Sequence, residues 1–226
     1  MSATAAPGTE SGDRASFLAR LRAGRVEHPH HNAAHPLPAP NDGIPIVVSH
    51  QLDEQDITGS FCRNAAAVKV HVHRAADRSA MADAVAAIVA STGATTAVAS
   101  GQPLAVEVAD LLRGLGVEVR PISVENSSRA DLGVTVACGA IATTGTIVQR
   151  SDEVGGRTGS LLVTTHLVIV PADDIVASSA QMIRRFGDRP MPSNVVLVTG
   201  PSKSGDIEQI IVTGVHGPLT VEAIVV

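Results

Sequence analysis

The run Thr199-Gly200-Pro201-Ser202-Lys203-Ser204-Gly205-Asp206-Ile207-Glu208, with Gly214-Val215-His216-Gly217-Pro218 after it, brings hydroxyls, an ammonium, two carboxylates and an imidazole close together. If a strand ends there, Gly200, Ser202 and Lys203 suit an anion cradle, because free backbone N–H groups, hydroxyls and a cation all stabilise negative charge. Asp206 and Glu208 argue against a bare phosphate site. With His216 they suit either acid–base chemistry or a polar network that holds a loop. Thr143-Thr144-Gly145-Thr146 supplies a second set of hydroxyls on flexible backbone, fit for a carboxylate or for a β-bulge. Between the two lies Asp152 to Gly159, whose Arg157 could clamp a carboxylate or phosphate through paired N–H bonds, or stand solvated at a hairpin tip. The Ser100-Gly101-Gln102 turn is a further candidate wall. These patterns assign ligand-binding candidates and leave the catalytic residues unknown.

The elements that must position these residues follow from periodicity. Val68, Val70 and Val72 alternate with Lys69, His71 and His73, which predicts a strand over 66–73 buried on one face. His71 and His73 fall on its polar face with no acid or thiol nearby in sequence, so they read as solvated. Residues 77–91 form an amphipathic pattern with Asp77 or Ser79 as cap and Met81, Val85, Ile88 and Val89 as its buried stripe. A strand over 94–100, a helix over 104–115 and a strand over 117–122 follow. This rhythm is that of right-handed βαβ crossovers and a mostly parallel sheet, whose ligands bind beyond the carboxyl ends of the strands.

From 130 to 171 the chain reads as β-branched strands separated by Gly- and Thr-rich turns, too apolar to lie outside a larger sheet. His166, inside the apolar run 161–171, is either a hydrogen-bonded core residue or a site residue at a strand mouth. A helix is expected over 173–186, with acids at its start and arginines at its end, and a strand over 194–199. Residues 52–64 are polar and mixed.

Upstream, residues 1–43 read as an N-terminal extension to a folded domain over 44–226. The extension holds a short amphipathic helix over 14–24 and a His/Pro-rich stretch over 26–43. There His28, His30, His31 and His35 are interrupted by Pro29 and Pro36, which favour extended backbone over the helical spacing that converges imidazoles on one ion. The stretch reads as a solvated linker, with no metal site assigned.

The 226 residues are 44 % hydrophobic, with three Phe and no Tyr or Trp, and the formal net charge is −5. Neither a basic stripe nor aromatic stacking platforms are present, so nucleic-acid binding is not expected. Two cysteines, Cys62 and Cys138, are too few for an iron–sulfur cluster, which takes about four thiolates. No cofactor is therefore expected in this chain. No stretch reaches the roughly 18 apolar residues of a membrane span, and a cytoplasmic location is expected.

Ala140-Ile141-Ala142-Thr143-Thr144-Gly145-Thr146, Val170-Pro171, the Gly200 to Glu208 run and Gly214 to Pro218 occur in order, and together they resemble the lactate utilization protein C family, or LUD domain, over roughly 61–226. The resemblance implies an α/β, three-layer fold with a mostly parallel sheet flanked by helices, similar to the NagB/RpiA/CoA-transferase group. It also implies an accessory role in oxidising L-lactate to pyruvate beside two partner subunits, one with iron–sulfur clusters and one Cys-rich. The alternative is a stand-alone binder or enzyme of the CoA-transferase or sugar-phosphate isomerase type acting on an anionic ligand. One departure stands out: the family pattern carries Glu before Thr-Gly-Thr, where this chain has Thr143. Thr144, Gly145, Thr146, Gly200, Ser202, Asp206, Glu208 and His216 match the pattern and keep a ligand-site role.

Overall fold

The computed structural model describes residues 52–187, 190–205, 211–214 and 216–226, with Ala19 alone before them. The expected helix over 14–24 and the His/Pro-rich stretch otherwise lie outside these residues. Apart from Ala19, the described residues belong to one unit, Val48–Val226.

Helix α1 (Ile57–Ala67) starts where the Asp56 carboxylate accepts the Gly59 N–H at 2.7 Å. It replaces the mixed polar stretch expected there, and its buried apolar stripe is as thin as Phe61 and Ala65. Lys69, in the left-handed region at φ 73°, turns the chain into β1 (Val70–Arg74), which therefore begins later than the alternation suggests. Helix α2 (Arg78–Thr92) is capped by Asp77, and Gly93 ends it at φ 64°. Strand β2 (Thr96–Ala99), helix α3 (Pro103–Gly114) and strand β3 (Glu118–Pro121) follow the expected rhythm. Pro103 opens α3 because its missing N–H is not needed in the first turn.

A short helix α4 (Val124–Ser127) leads to β4 (Leu132–Val136), β5 (Gly139–Ile141) and β6 (Thr146–Arg150). After the one-turn helix α5 (Thr158–Leu161) comes β7 (Thr165–Val170). The single helix expected over 173–186 is three pieces: a 3₁₀ turn (Ala172–Asp174), β8 (Ile175–Val176) and α6 (Ser179–Phe186). Ser178 and Gln181 close a reciprocal capping box at the start of α6. Strands β9 (Val195–Val198), β10 (Lys203–Gly205), β11 (Ile211–Thr213) and β12 (Thr220–Val225) complete the described chain.

Six strands form one sheet in the order β1-β12-β7-β4-β2-β3, every pair parallel. The expected α/β architecture with a mostly parallel sheet flanked by helices is thus the observed one. A second sheet, β8-β5-β6-β9, is mixed, and β10 pairs with β11. The apolar stretch over 130–171 is accordingly divided: β4 and β7 sit side by side in the large sheet, while β5 and β6 leave it as a hairpin.

Alternation along the large sheet sorts its side chains into two cores. Leu132, Val134, Leu167, Ile169 and Ile224 meet Val85 and Ile88 of α2 and Leu112 of α3. On the opposite face Val168, Val170, Val221 and Ala223 meet Phe61 of α1 and Ile147 of β6. Burial of these aliphatic side chains, at about 1.5–3 kcal/mol each, fixes the layer order.

Candidate ligand cleft

The carboxyl ends of β2, β4 and β7 open onto a cavity of about 380 Å³, walled by Gln102, Cys138, Arg150, Asp174 and Phe186 among others. This is where a parallel sheet leaves backbone and loops free to hold a ligand. Arg150 is the last residue of β6, and its side chain is 6 % exposed. The guanidinium bonds Asp152 through Nη2 at 2.9 Å and through Nε at 3.2 Å, and donates from Nη2 to the Pro190 carbonyl at 3.0 Å. Glu153 lies 3.2 Å from Nε, and Phe186 stacks with its ring centroid 5.8 Å away. The Asp152 hydrogen bonds hold the arginine above its usual pKa and Asp152 below the usual carboxylate range. Nη1 is buried and has no hydrogen-bond partner among the described residues.

Gln102 is the N-cap residue of α3, but its side chain makes no capping hydrogen bond. Its Oε1 instead accepts the Val136 N–H at 3.2 Å and the Ser100 hydroxyl at 3.1 Å. The Cys138 thiol faces the Val148 carbonyl at 3.2 Å, and burial pushes its pKa up to about 11. It is a neutral thiol near pH 7, unsuited to thiolate nucleophilic attack. Across the cavity Arg185 pairs with Asp174 at 2.9 Å.

Beneath the cleft a polar cluster links three strands. Thr135 of β4 bonds His166 Nε2 of β7 at 2.8 Å, and Gln149 of β6 bonds Thr135. His166 is fully buried, which lowers its pKa to about 4. It is a neutral core histidine, the first of the two readings the sequence leaves open. Its Nδ1 and the Gln149 Oε1 have no partner among the described residues.

Of the residues singled out from sequence, Gln102 lines the cleft, and the other described candidates lie elsewhere. Thr144, Thr146 and Thr199 form a chain of hydroxyls, 2.7 and 2.9 Å apart. Gly145 (φ 63°) packs on the backbone of Asn64 and Ala65, and Gly200 (φ 89°) on the Val68 carbonyl, so both turns close on the end of α1. Asn64 strengthens this junction by donating to the Ala142 carbonyl at 2.7 Å. Ser202 is bound through its backbone to Pro218 and Gly214. Lys203 and His216 are exposed, and His216 lines a separate cavity of about 370 Å³ with Leu162, Thr164 and Leu219. Arg157 is not buried and precedes α5, its carbonyl accepting from Ser160 and Leu161. Asp206 and Glu208 lie outside the described residues.

The structure also brings together residues that are far apart in sequence. His71 Nδ1 and His73 Nε2 of β1 each contact one oxygen of Glu222 on the neighbouring β12, at 2.7 and 2.8 Å. The acid absent from their sequence neighbourhood comes from the far end of the chain. The polar side chains lining the cleft are Gln102, Arg150, Glu153, Asp174 and Arg185. Gln102 belongs to the turn whose sequence suits a site wall; Arg150 carries no local signal beyond ending an apolar strand. Among the described residues no group of three or more His, Cys, Asp or Glu side chains is arranged to hold a metal ion, and no helix is long and apolar enough to cross a membrane.

A parallel six-stranded sheet flanked by helices, with a polar cavity at its carboxyl ends, defines an α/β protein. Within that class the chain belongs to the LUD domain family, whose model matches residues 59–226. Its relatives include proteins named lactate utilization protein C. That of Oceanobacillus iheyensis is 36 % identical over 105 residues, covering 44 % of this chain and 45 % of the relative. That of Bacillus licheniformis is 40 % identical over 109 residues, covering 46 % and 45 %. The chain spans about half the length of the curated relatives it matches. A DUF162 family protein from Deinococcus radiodurans has a similar fold, with a TM-score of 0.54, 23 % identity and coverage of 77 % of this chain and 98 % of that one.

Proposed function

We propose that this protein acts in lactate utilization and holds a small carboxylate anion in the cleft between β4, β7 and α6. The observation that carries this reading is Arg150. Its guanidinium is held protonated and stacked on Phe186, yet keeps one buried N–H arm, Nη1, with no partner among the described residues. A buried donor without an acceptor forfeits its hydration for nothing, and because Arg150 lines the cavity, a carboxylate admitted by a small shift of the surrounding side chains would recover that loss. Arginine is suited to this because its planar fork can keep Asp152 and Glu153 on its Nε and Nη2 side and still offer Nη1 to a further anion.

In the proposed role the chain shapes the site, while iron–sulfur and Cys-rich partner subunits carry the electrons. The name shared by the relatives supports the pathway. The neutral Cys138 thiol and buried neutral His166 support a binding role over thiolate or imidazolium chemistry in this chain.

Calorimetric titration of the purified full chain with L-lactate and pyruvate tests the reading. Arg150→Lys, which keeps charge and loses the fork, and Arg150→Gln are both expected to weaken binding tenfold or more while circular dichroism stays native. Equal affinity in all three proteins, or no binding of either acid to the wild type, would reject it. Co-purification of the partner subunits with the tagged chain tests the pathway assignment separately.

A further inference from the structure

We infer that strand β9 is the contact between two copies of this chain, paired edge to edge as antiparallel strands about a two-fold axis at Val196. β9 lies at the outer edge of the small sheet, with β6 on its inner side. The Ser151 N–H donates to the Asn194 carbonyl at 3.1 Å, which sets the phase of the antiparallel ladder. Bonded pairs alternate along such a ladder, so Gln149 with Val196 and Ile147 with Val198 are the bonded ones in this register. Val195 and Leu197 fall between them. In agreement, the Val148 carbonyl opposite Leu197 accepts the Cys138 N–H at 2.9 Å, on the β5 side. The N–H and C=O groups of Val195 and Leu197 therefore point away from β6, with no backbone partner among the described residues. Leu197 is also 61 % exposed.

Charge decides what fits this edge. An open strand edge pairs with foreign strands unless charge or proline blunts it, and the edges of the large sheet are blunted in this way. β1 carries His71, His73 and Arg74, and β3 carries Glu118, Arg120 and Pro121. From Met191 to Ser202 no residue is charged, so an acidic or basic strand would find no counter-charge along β9. The chain itself has a formal net charge of −5, and two copies repel unless they meet through a neutral face. Pro192 and Pro201 bracket β9 and limit an added strand to the residues between them. A second β9 meets all these limits. With Val196 opposite its own copy, Val195 of each chain faces Leu197 of the other, and every outward N–H meets an outward C=O. Side chains stay on matching faces, each Leu197 is covered by a valine, and two four-stranded sheets become one.

Sedimentation velocity of the purified full chain tests the contact, and disulfide trapping tests its register. The wild type is expected to be dimeric at roughly 100 μM, the range of a small interface. Leu197→Lys places a charge on the edge, and Leu197→Pro removes one outward N–H without taking a bond from β6. Each is expected to raise the dimer dissociation constant about tenfold or more, with native circular dichroism. In the proposed pairing the two copies of Val196→Cys have Cα atoms about 4.5 Å apart, within disulfide reach, and are expected to cross-link under mild oxidant beyond the wild-type background. The copies of Val198→Cys lie about 14 Å apart and are expected not to. A wild type that stays monomeric at that concentration overturns the inference, as do Leu197 variants that dimerise like the wild type. Equal cross-linking of the Val196 and Val198 variants overturns it too, since the outward backbone groups allow this one register about the axis.

Discussion

Glu222 Oε1 lies 2.7 Å from His71 Nδ1, joining residues 151 positions apart in the chain. Its second oxygen meets His73 at 2.8 Å, so a carboxylate that is 5 % exposed has both oxygens satisfied near the edge of the large sheet. Burial of this acid is tolerated because the two imidazoles replace water.

Removal of this carboxylate should therefore cost more than removal of either histidine. Glu222→Ala is expected to lower stability by about 2 kcal/mol, since two charge-assisted hydrogen bonds are lost from a buried position. His71→Ala, at a side chain 64 % exposed, should cost less than about 1 kcal/mol, as solvent replaces its contact. Urea denaturation of the two variants checks the order; a larger loss for His71→Ala would contradict it.

His166 makes stability depend on pH. Burial lowers its folded pKa to about 4 from an ordinary value of 6.5, so between those limits the unfolded chain binds the extra proton. Its contribution is complete above pH 6.5 and is lost as pH falls toward 4, a difference of about 3 kcal/mol for a shift of this size. Comparing wild type with His166→Gln isolates it. The advantage of the wild type at pH 7 should shrink by about that amount at pH 4, and a constant advantage would show that His166 titrates normally.

The two glycine turns imply a contrast at matched backbone angles. Gly145 and Gly93 have φ of 63° and 64°, but a Cβ at Gly145 would collide with the backbone of Asn64 and Ala65, whereas one at Gly93 meets nothing within 4 Å. Gly93→Ala should cost about 1 kcal/mol for the left-handed conformation alone. Gly145→Ala should cost about 3 kcal/mol or more, because the obstacle is main chain that cannot rotate aside. Gly200→Ala, facing the Val68 carbonyl, belongs with Gly145. Thermal unfolding of the three variants gives the ranking.

Part of this architecture is written locally. Asp77 and Gly93 bracket α2, Pro103 opens α3, and aliphatic strands alternating with helices dictate a parallel sheet, because caps, fixed φ angles and hydrophobic period act between near neighbours. Helix α1 leaves little trace in the sequence because its apolar stripe is as thin as Phe61 and Ala65, and β8 leaves none because Ile175 and Val176 become a strand only by pairing with Ala140 and Ile141. Site chemistry is less legible still. Arg150 and Arg157 flank the same loop and differ little as letters; Phe186, Asp152 and Pro190 enclose one, while the other stays open to solvent. The residue types, the fold class and the family pattern came from the chain alone. Which arginine enters the cleft, which way Gln102 faces and which acid meets His71 were decided by folding, since burial and long-range pairing arise only when distant segments share one volume.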